Sequence, residues 1–264
     1  MQSLYPEKYQ GCASMSYRKI SIASAFSLLV IWELIPRTGI VPSQLFPPPS
    51  RVLVAWGDWA TSGEMTRDLL ASLWRVVLGF LAGGAIGILL GVACGYYRAV
   101  NALVAPIVNL LRPLPPVALI PFFIIWAGIS DLSKIESIAY AAFFSVWLNT
   151  VLGVSHMDKK YLWSARSLNL PSRLLWTRVI FPAALPFIIA GLRGAISVAF
   201  VMVFVSELAG ASSGIGYQIN ASQLAYQVDR MMAALVMLGV LGAGSDYFVS
   251  ISAGWLFPWL NKGK

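Results

Sequence analysis

Charge is scarce in this sequence: only 11% of its 264 residues are Asp, Glu, Lys or Arg, whereas 58% are hydrophobic. Soluble domains carry about a quarter charged residues, so this chain could not cover its own surface in water. Catalytic groups are also scarce, with one histidine, His156, and two distant cysteines, Cys12 and Cys94. No H-E-x-x-H, C-x-x-C, G-x-S-x-G or G-x-x-x-x-G-K-[ST] motif is present. These absences argue against an enzyme, a metal site, a disulfide framework and ATP binding by a P-loop.

Long hydrophobic runs occupy most of the chain instead. A spanning helix needs about 20 mostly apolar residues, and six runs are candidates: 20–36, 69–97, 102–129, 135–156, 180–208 and 231–256. The first run is short, but no A-x-A-like cleavage signal follows it, so it is predicted to be a retained span. We therefore predict an all-α polytopic membrane protein with six transmembrane helices. It divides into an N-terminal segment, 1–68, and a core, 69–264.

The placement of lysine and arginine predicts the orientation, because such residues concentrate on the cytoplasmic side. With the N-terminus inside, the inner segments hold eleven of them. The outer segments hold five, namely Arg37, Arg51, Arg67, Lys134 and Arg230. We therefore expect both termini in the cytoplasm.

A polar segment, 158–179, interrupts the apolar runs and is expected on the cytoplasmic side. It carries five basic residues against one acid, Asp158, and Pro171 divides it into two short pieces. Its apolar residues, which include Leu162 and Trp163, need a surface to lie on. This combination predicts a docking element for a cytoplasmic partner.

The second run contains a glycine at every fourth position: Gly79, Gly83, Gly87, Gly91 and Gly95. This spacing places them in one stripe, where helix backbones can approach closely. Two interpretations remain open, ordinary tight packing and an interface on which one helix slides over another.

Charges and prolines inside the runs mark candidate sites. Arg112 lies in a Leu-Arg-Pro-Leu-Pro-Pro stretch with Pro113 and Pro115, which should break the third span. Buried charge in a membrane suggests a functional site, although Arg112 could instead pair with a neighbour and hold the kink. Arg193 either faces a pathway for an anion or bonds neighbouring carbonyls, and Glu207 lies at the outer end of the fifth run.

The polar segment resembles the cytoplasmic EAA loop of bacterial ABC-importer permeases, whose pattern is E-A-A, three residues, G, nine residues, I-x-L-P. The spacing is kept through Trp163-Ser164-Ala165, Asn169 and Val179-Ile180-Phe181-Pro182. Ala165 and Pro182 match outright, whereas Trp163 replaces the acid and Asn169 the glycine. Because asparagine tolerates a left-handed backbone, we predict that the turn is retained.

Further pieces are similar to the nitrate/sulfonate/taurine/bicarbonate permease family over about residues 40–260. They are Ser72-Leu73-Trp74-Arg75 with the glycine row, 111–121, 126–129, Leu185-Pro186 with Gly191-Leu192-Arg193, and Ser206-Glu207-Leu208 with 213–217. The stretch Arg-Pro-Leu-Pro-Pro followed by Ala-Leu-Ile-Pro is closer to sulfonate and taurine permeases. Nitrate, bicarbonate or a thiamine-precursor-like solute stays open, as does, more remotely, an ATP-independent carrier.

The resemblance implies a type I ABC-importer fold in a bacterial inner membrane, with no cofactor in this chain. The expected partners are a second copy of the permease, two copies of a cytoplasmic ATPase that binds ATP and Mg, and a periplasmic or lipid-anchored substrate-binding protein. The resemblance assigns ATPase coupling to Leu162, Trp163, Ser164, Ala165, Arg166, Asn169 and Pro171. The candidate translocation path contains Arg112, Pro113, Pro115, Arg193 and Glu207.

Overall fold

The computed structural model describes residues 10–39 and 41–257, and this part of the chain is helical, without a strand. Its α-helices are α1 (Gln10–Arg37), α2 (Pro49–Thr61), α3 (Glu64–Tyr96), α4 (Arg98–Leu111), α5 (Ile120–Ala127), α6 (Asp131–Ser155), α7 (Lys159–Ser167), α8 (Ser172–Leu175), α9 (Phe181–Leu208), α10 (Ile215–Leu224) and α11 (Val228–Leu256). A 3-10 turn, Pro116–Leu119, precedes α5, and a π-helical turn, Trp176–Ile180, precedes α9. The all-α prediction is confirmed.

Five helices of the described residues are long and apolar enough to cross a membrane: 19–37, 64–96, 131–155, 172–208 and 228–255. A sixth candidate is the pair formed by α4 and the segment 116–127, which is bent by 87°. The six predicted runs are thus recovered when this bent pair counts as one span. The bend follows from the prolines at 113, 115 and 116, because proline cannot continue a helix hydrogen-bond ladder.

The core of the bundle is α6, which lies between α3 and α9. Half of its apolar window is buried within the chain. Val76 of α3, Ile138 of α6 and Val203 of α9 belong to one buried cluster. Apolar packing therefore joins the three helices along one central seam.

The glycine row of α3 lies against α6 along its whole length. A methyl group added at Gly79 would stand 2.6 Å from the Cβ of Ile138, and one at Gly83 would overlap the backbone of Ala139. Methyl groups added at Gly87, Gly91 and Gly95 would stand 2.6–3.0 Å from the Cβ atoms of Val146, Thr150 and Val154, respectively. The two backbones can approach this closely only because these five positions lack side chains.

The outer helices are covered far less by their own chain. Only 6% of the apolar window of α1 is buried, and 17% of that of α11. Trp32 of α1 donates a hydrogen bond to the carbonyl of Pro47 at 3.1 Å, and Glu33 accepts one from the backbone N–H of Ser50 at 3.1 Å. These contacts tie α1 to the start of α2, while most of its apolar surface remains available to lipid or to another chain.

Candidate coupling loop, broken span and charged clusters

The helix α7 of the polar segment ends in a tight left-handed turn. Asn169 has a φ of 47°, and the N–H of Leu170 donates to the carbonyl of Ala165 at 3.1 Å. Together they form a Schellman motif, in which a left-handed residue after the helix lets the next N–H reach back to a helix carbonyl. The predicted left-handed turn at Asn169 is confirmed, and Pro171, directly before α8, has an extended backbone.

The side chains of α7 divide into an inner and an outer set. Ala165 is 4% exposed, whereas Trp163 is 63% exposed and Tyr161 60%. Ser164 is exposed but also lines a groove of about 610 Å3 between α7 and the start of α9. Ala165 therefore packs α7 onto its own chain, and Trp163 faces outward. The side chains of Leu162 and Arg166 lie outside the described part of the structure.

The π-helical turn links this loop directly to α9. Its first residue, Trp176, packs against Tyr96 at the end of α3, with tilted rings whose centroids are 4.6 Å apart. Ile180, at the end of the turn, is fully buried with Val154 and Ala184. The turn is thus anchored to α3 and α6 as well as to α9.

The broken span exposes its predicted path residues. Arg112, Pro113 and Pro115 are all exposed, and the guanidinium of Arg112 forms no hydrogen bond with any described residue. The break is held by Tyr140 of α6, whose hydroxyl donates to the carbonyl of Leu111 at 3.0 Å. Among the described residues, Tyr140 and not Arg112 therefore supplies the side-chain hydrogen bond at the break that the prolines cause.

Arg193 pairs with a carboxylate and not with the carbonyls that one of the two interpretations proposed. Its Nε and Nη2 donate to the two oxygens of Asp246 at 2.9 and 2.8 Å, which joins α9 to α11. Both side chains remain about one-third to one-half exposed. The pair is bidentate, the strongest arrangement for such groups, and neither charge is free.

Glu207 lies in a buried ion-pair cluster, not on an open surface. Its carboxylate accepts from Nη1 of Arg75 at 2.6 Å and from the hydroxyl of Ser72 at 2.8 Å. Arg75 also donates through Nε to Asp131 at 2.8 Å and through Nη1 to the carbonyl of Ser213 at 2.7 Å. Helices α3, α6 and α9 are thereby joined by charge at one end of the bundle.

The same cluster holds the beginning of α10. The N–H groups of Gly214, Ile215 and Gly216 donate to Asp68, Ser72 and Glu207 at 3.0, 2.8 and 2.7 Å, respectively. These are donors that a helix N-terminus cannot satisfy within itself. A methyl group at Gly216 would stand 2.6 Å from the carbonyl oxygen of Phe204, so only glycine permits this approach.

Arg75 and Glu207 stand in separate family-like pieces of the sequence, and the sequence pattern predicts no pair between them. From the sequence Lys134 is predicted only as an outer charge, and Asp131 has no predicted role. The sequence does contain a usable signal: Arg75 and Glu207 carry opposite charges, and each stands near the expected outer end of its run. Charges that lie within apolar segments are expected to pair.

An all-helical bundle with up to six spans, one of them broken, and a basic loop between two others defines a multi-pass membrane protein. The chain belongs to the family described as binding-protein-dependent transport system inner membrane component, which matches residues 83–262. It is therefore the permease subunit of an ABC importer.

Individual relatives agree over most of the chain. A Bacillus subtilis (strain 168) protein, named as an aliphatic sulfonates transport permease protein, is 34% identical to this chain. The match covers 89% of this chain and 85% of the relative's length. Its namesake from Escherichia coli (strain K12) is 33% identical over 83% of each chain. The taurine transport system permease protein of the same organism is 29% identical over 91% of this chain and 89% of its own.

Proposed function

We propose that the chain is the membrane subunit of an ATP-driven importer for a small organic sulfonate of the taurine or alkanesulfonate class. The observation that carries the proposal is the similarity, across 89% of this chain, to a permease named for aliphatic sulfonates. The likeness to a taurine permease over 91% of the chain supports the same substrate class. A separate ATPase subunit would bind ATP and Mg, because this sequence has no P-loop.

The loop at α7 is proposed to dock on that ATPase. Trp163 presents a large aromatic surface on the side facing away from the bundle, and Ala165 and Asn169 support the helix from behind. Buried aromatic anchors supply much of the binding energy at interfaces. Since the π-helical turn joins the loop to α9 and contacts α3, force applied to Trp163 would reach the three central helices.

A second copy of the permease and N-in, C-in orientation complete the proposal. The exposed Arg112 at the break cannot face hydrocarbon without a large cost, which favours a water-filled space or a protein surface beside it. A path between two copies would supply both. The apolar exposed faces of α1 and α11 fit lipid or the second copy.

Growth of a strain lacking this gene tests the substrate class. With taurine or ethanesulfonate as sole sulfur source, the deletion strain is expected to stop growing, and the restored gene to rescue it. Growth on sulfate and on nitrate as sole nitrogen source should remain normal. Normal growth on both sulfonates, with failure on nitrate, would replace the sulfonate assignment by nitrate.

Reconstitution with the ATPase and the binding protein tests the coupling role. Trp163→Ala is expected to lower ATP-dependent uptake about tenfold or more, because loss of an aromatic anchor costs about 2 kcal/mol of docking. Trp255→Ala is the matched control, since Trp255 is 80% exposed at the C-terminal end of α11, which the proposed orientation places on the cytoplasmic side. Equal uptake by the two variants would remove the docking role from α7.

A further inference from the structure

A cavity of about 420 Å3 lies beside the ion-pair cluster, at the end of the bundle proposed to face outward. Its lining comes from three parts of the chain: Arg75 on α3, the start of α6 and the loop that follows α9. From the N-cap and first turn of α6 it receives Ser130, Asp131 and Lys134, and from the loop Gly210, Ala211 and Ser212. The volume is ample for a molecule of the size of ethanesulfonate.

Lys134 is the unusual group in this lining. The residue is only 4% exposed, yet its ammonium forms no ion pair with any carboxylate of the described residues. Among the described residues, its one hydrogen bond goes to the carbonyl of Ser130, the N-cap residue of α6, at 2.9 Å. Two of the three ammonium donors therefore have no partner in the described part of the chain, although burying an unpaired charge is costly.

The position of Lys134 makes its charge still less favourable. It lies in the first turns of α6, where the helix dipole presents positive charge. Arg75, 3% exposed, adds a second cation beside it. The nearby acids do not offset both, because Glu207 is occupied by Arg75, Ser72 and Gly216, and the side chain of Asp131 is 58% exposed and bonded to Arg75.

Neutral donors complete the lining. The backbone N–H groups of Ala211 and Ser212 donate to no described residue, nor does the hydroxyl of Ser212. Ser130, at the N-cap of α6, leaves the first N–H groups of that helix without a side-chain cap. A cavity with one buried, unpaired ammonium and several free N–H and O–H donors suits a ligand that brings negative charge and several acceptor oxygens.

We propose that this cavity binds a small oxyanion, the sulfonate group of the transported solute, between Lys134 and the 210–212 loop. The identity of the solute rests on the proposed function, whereas the oxyanion site rests on the cavity itself. A sulfonate has three acceptor oxygens and one negative charge, which match the two free donors of Lys134 and the donors of the loop. Bound there, the solute would touch α6 and the segment between α9 and α10 simultaneously.

The test uses the purified permease–ATPase assembly in phosphatidylcholine nanodiscs, without nucleotide. Ethanesulfonate is titrated at constant ionic strength, and ethanesulfonamide, of similar shape but neutral, is titrated in parallel. We expect ethanesulfonate to raise the Tm saturably and ethanesulfonamide to leave it unchanged. An equal response to both compounds would overturn the site.

Lys134→Met removes the charge and keeps the length of the side chain. It should raise the half-saturating ethanesulfonate concentration at least about tenfold, because a charge-assisted hydrogen bond is lost. Lys134→Arg should retain most of the response to ethanesulfonate. Lys19→Met, which changes an exposed lysine of α1, should retain the full response. The same half-saturation in Lys134→Met and the unchanged chain would contradict the proposal.

The unliganded Tm separates this role from a structural one. Since its buried ammonium lacks a counter-charge, Lys134→Met should unfold at the same temperature as the unchanged chain or higher. A lowered Tm together with an unchanged response to ethanesulfonate would make Lys134 a structural residue and overturn the site.

A lipid phosphate has the same chemistry as a sulfonate, so a second set of nanodiscs contains phosphatidylglycerol. These nanodiscs could raise the Tm of the unchanged chain but not that of Lys134→Met, with no further rise when ethanesulfonate is added. That result would support the oxyanion site but overturn the solute as its occupant. The growth test is independent of this result. Sulfonate-dependent growth without ethanesulfonate binding would reject the cavity alone, whereas binding without such growth would reject the proposed substrate.

Discussion

The central seam and the outer helices of this bundle use the same small residues in opposite ways. From Gly79 to Gly95 of α3, every fourth residue is a glycine pressed against α6. On α11, a methyl group added at Gly239 or Gly244 would meet nothing within 4 Å. Thus a glycine pattern alone does not tell a packed helix face from an open one.

The ion pairs show the same contrast. Arg75 and Glu207 are 4% and 0% exposed in their side chains, and every carboxylate oxygen of Glu207 has a donor. Arg193 and Asp246 also pair well, but they remain 46% and 33% exposed. The charges of Arg75 and Glu207 are therefore paired within one chain, whereas the face formed by α9 and α11 leaves charge and glycine uncovered. We infer that the seam carries the stability of the chain and the outer faces carry its contacts.

The largest expected effect on stability comes from a comparison of the two ion pairs. Glu207→Gln should lower the free energy of unfolding by about 3–5 kcal/mol, because it removes the buried negative charge beside Arg75 and leaves that guanidinium only the exposed carboxylate of Asp131. Asp246→Asn should have a smaller effect on the isolated chain, since Arg193 can still reach solvent or lipid headgroups. Denaturant unfolding in detergent measures both. Equal losses would show that the outer pair is as fully enclosed as the inner one.

An intermediate effect separates the two glycine rows. Gly83→Ala should destabilise the chain by about 1–3 kcal/mol, because the new methyl group overlaps the backbone of Ala139, which cannot turn away. Gly239→Ala, on the open face of α11, is the matched control and should not destabilise. The same unfolding assay applies. If Gly83→Ala proved neutral, the spacing between α3 and α6 would have to be adjustable, as the sliding interpretation of the glycine row requires.

Much of this architecture could be predicted from the sequence, for identifiable reasons. Apolar length predicted the spans, because a membrane imposes one length scale on every helix. The prolines after Arg112 predicted the break, and the preference of asparagine for left-handed backbone predicted the turn at Asn169. Each of these features depends on a few neighbouring residues.

What could not be predicted depends on residues distant in the chain. The pairing of Arg75 with Glu207 spans 132 positions, and that of Arg193 with Asp246 spans 53. Nor did spacing distinguish the inner Ala165 from the outer Trp163, because that depends on which face of α7 meets the groove. The contribution of α10, whose N-terminus completes the Glu207 cluster, was likewise visible only in three dimensions.

The smallest expected effect tests what covers the outer helices. Gly244→Ala should raise the free energy of unfolding of the isolated permease by about 0.5–1 kcal/mol, because alanine is the better helix residue and the site is open. If α11 faces only lipid in the assembly, ATP-dependent uptake should stay unchanged in the same variant. If another helix packs on Gly244 there, the added methyl group should lower uptake while the isolated chain becomes more stable. If Gly244→Ala destabilised the isolated chain, the surface at position 244 would not be open. The contrast between α11 and the seam would then be wrong.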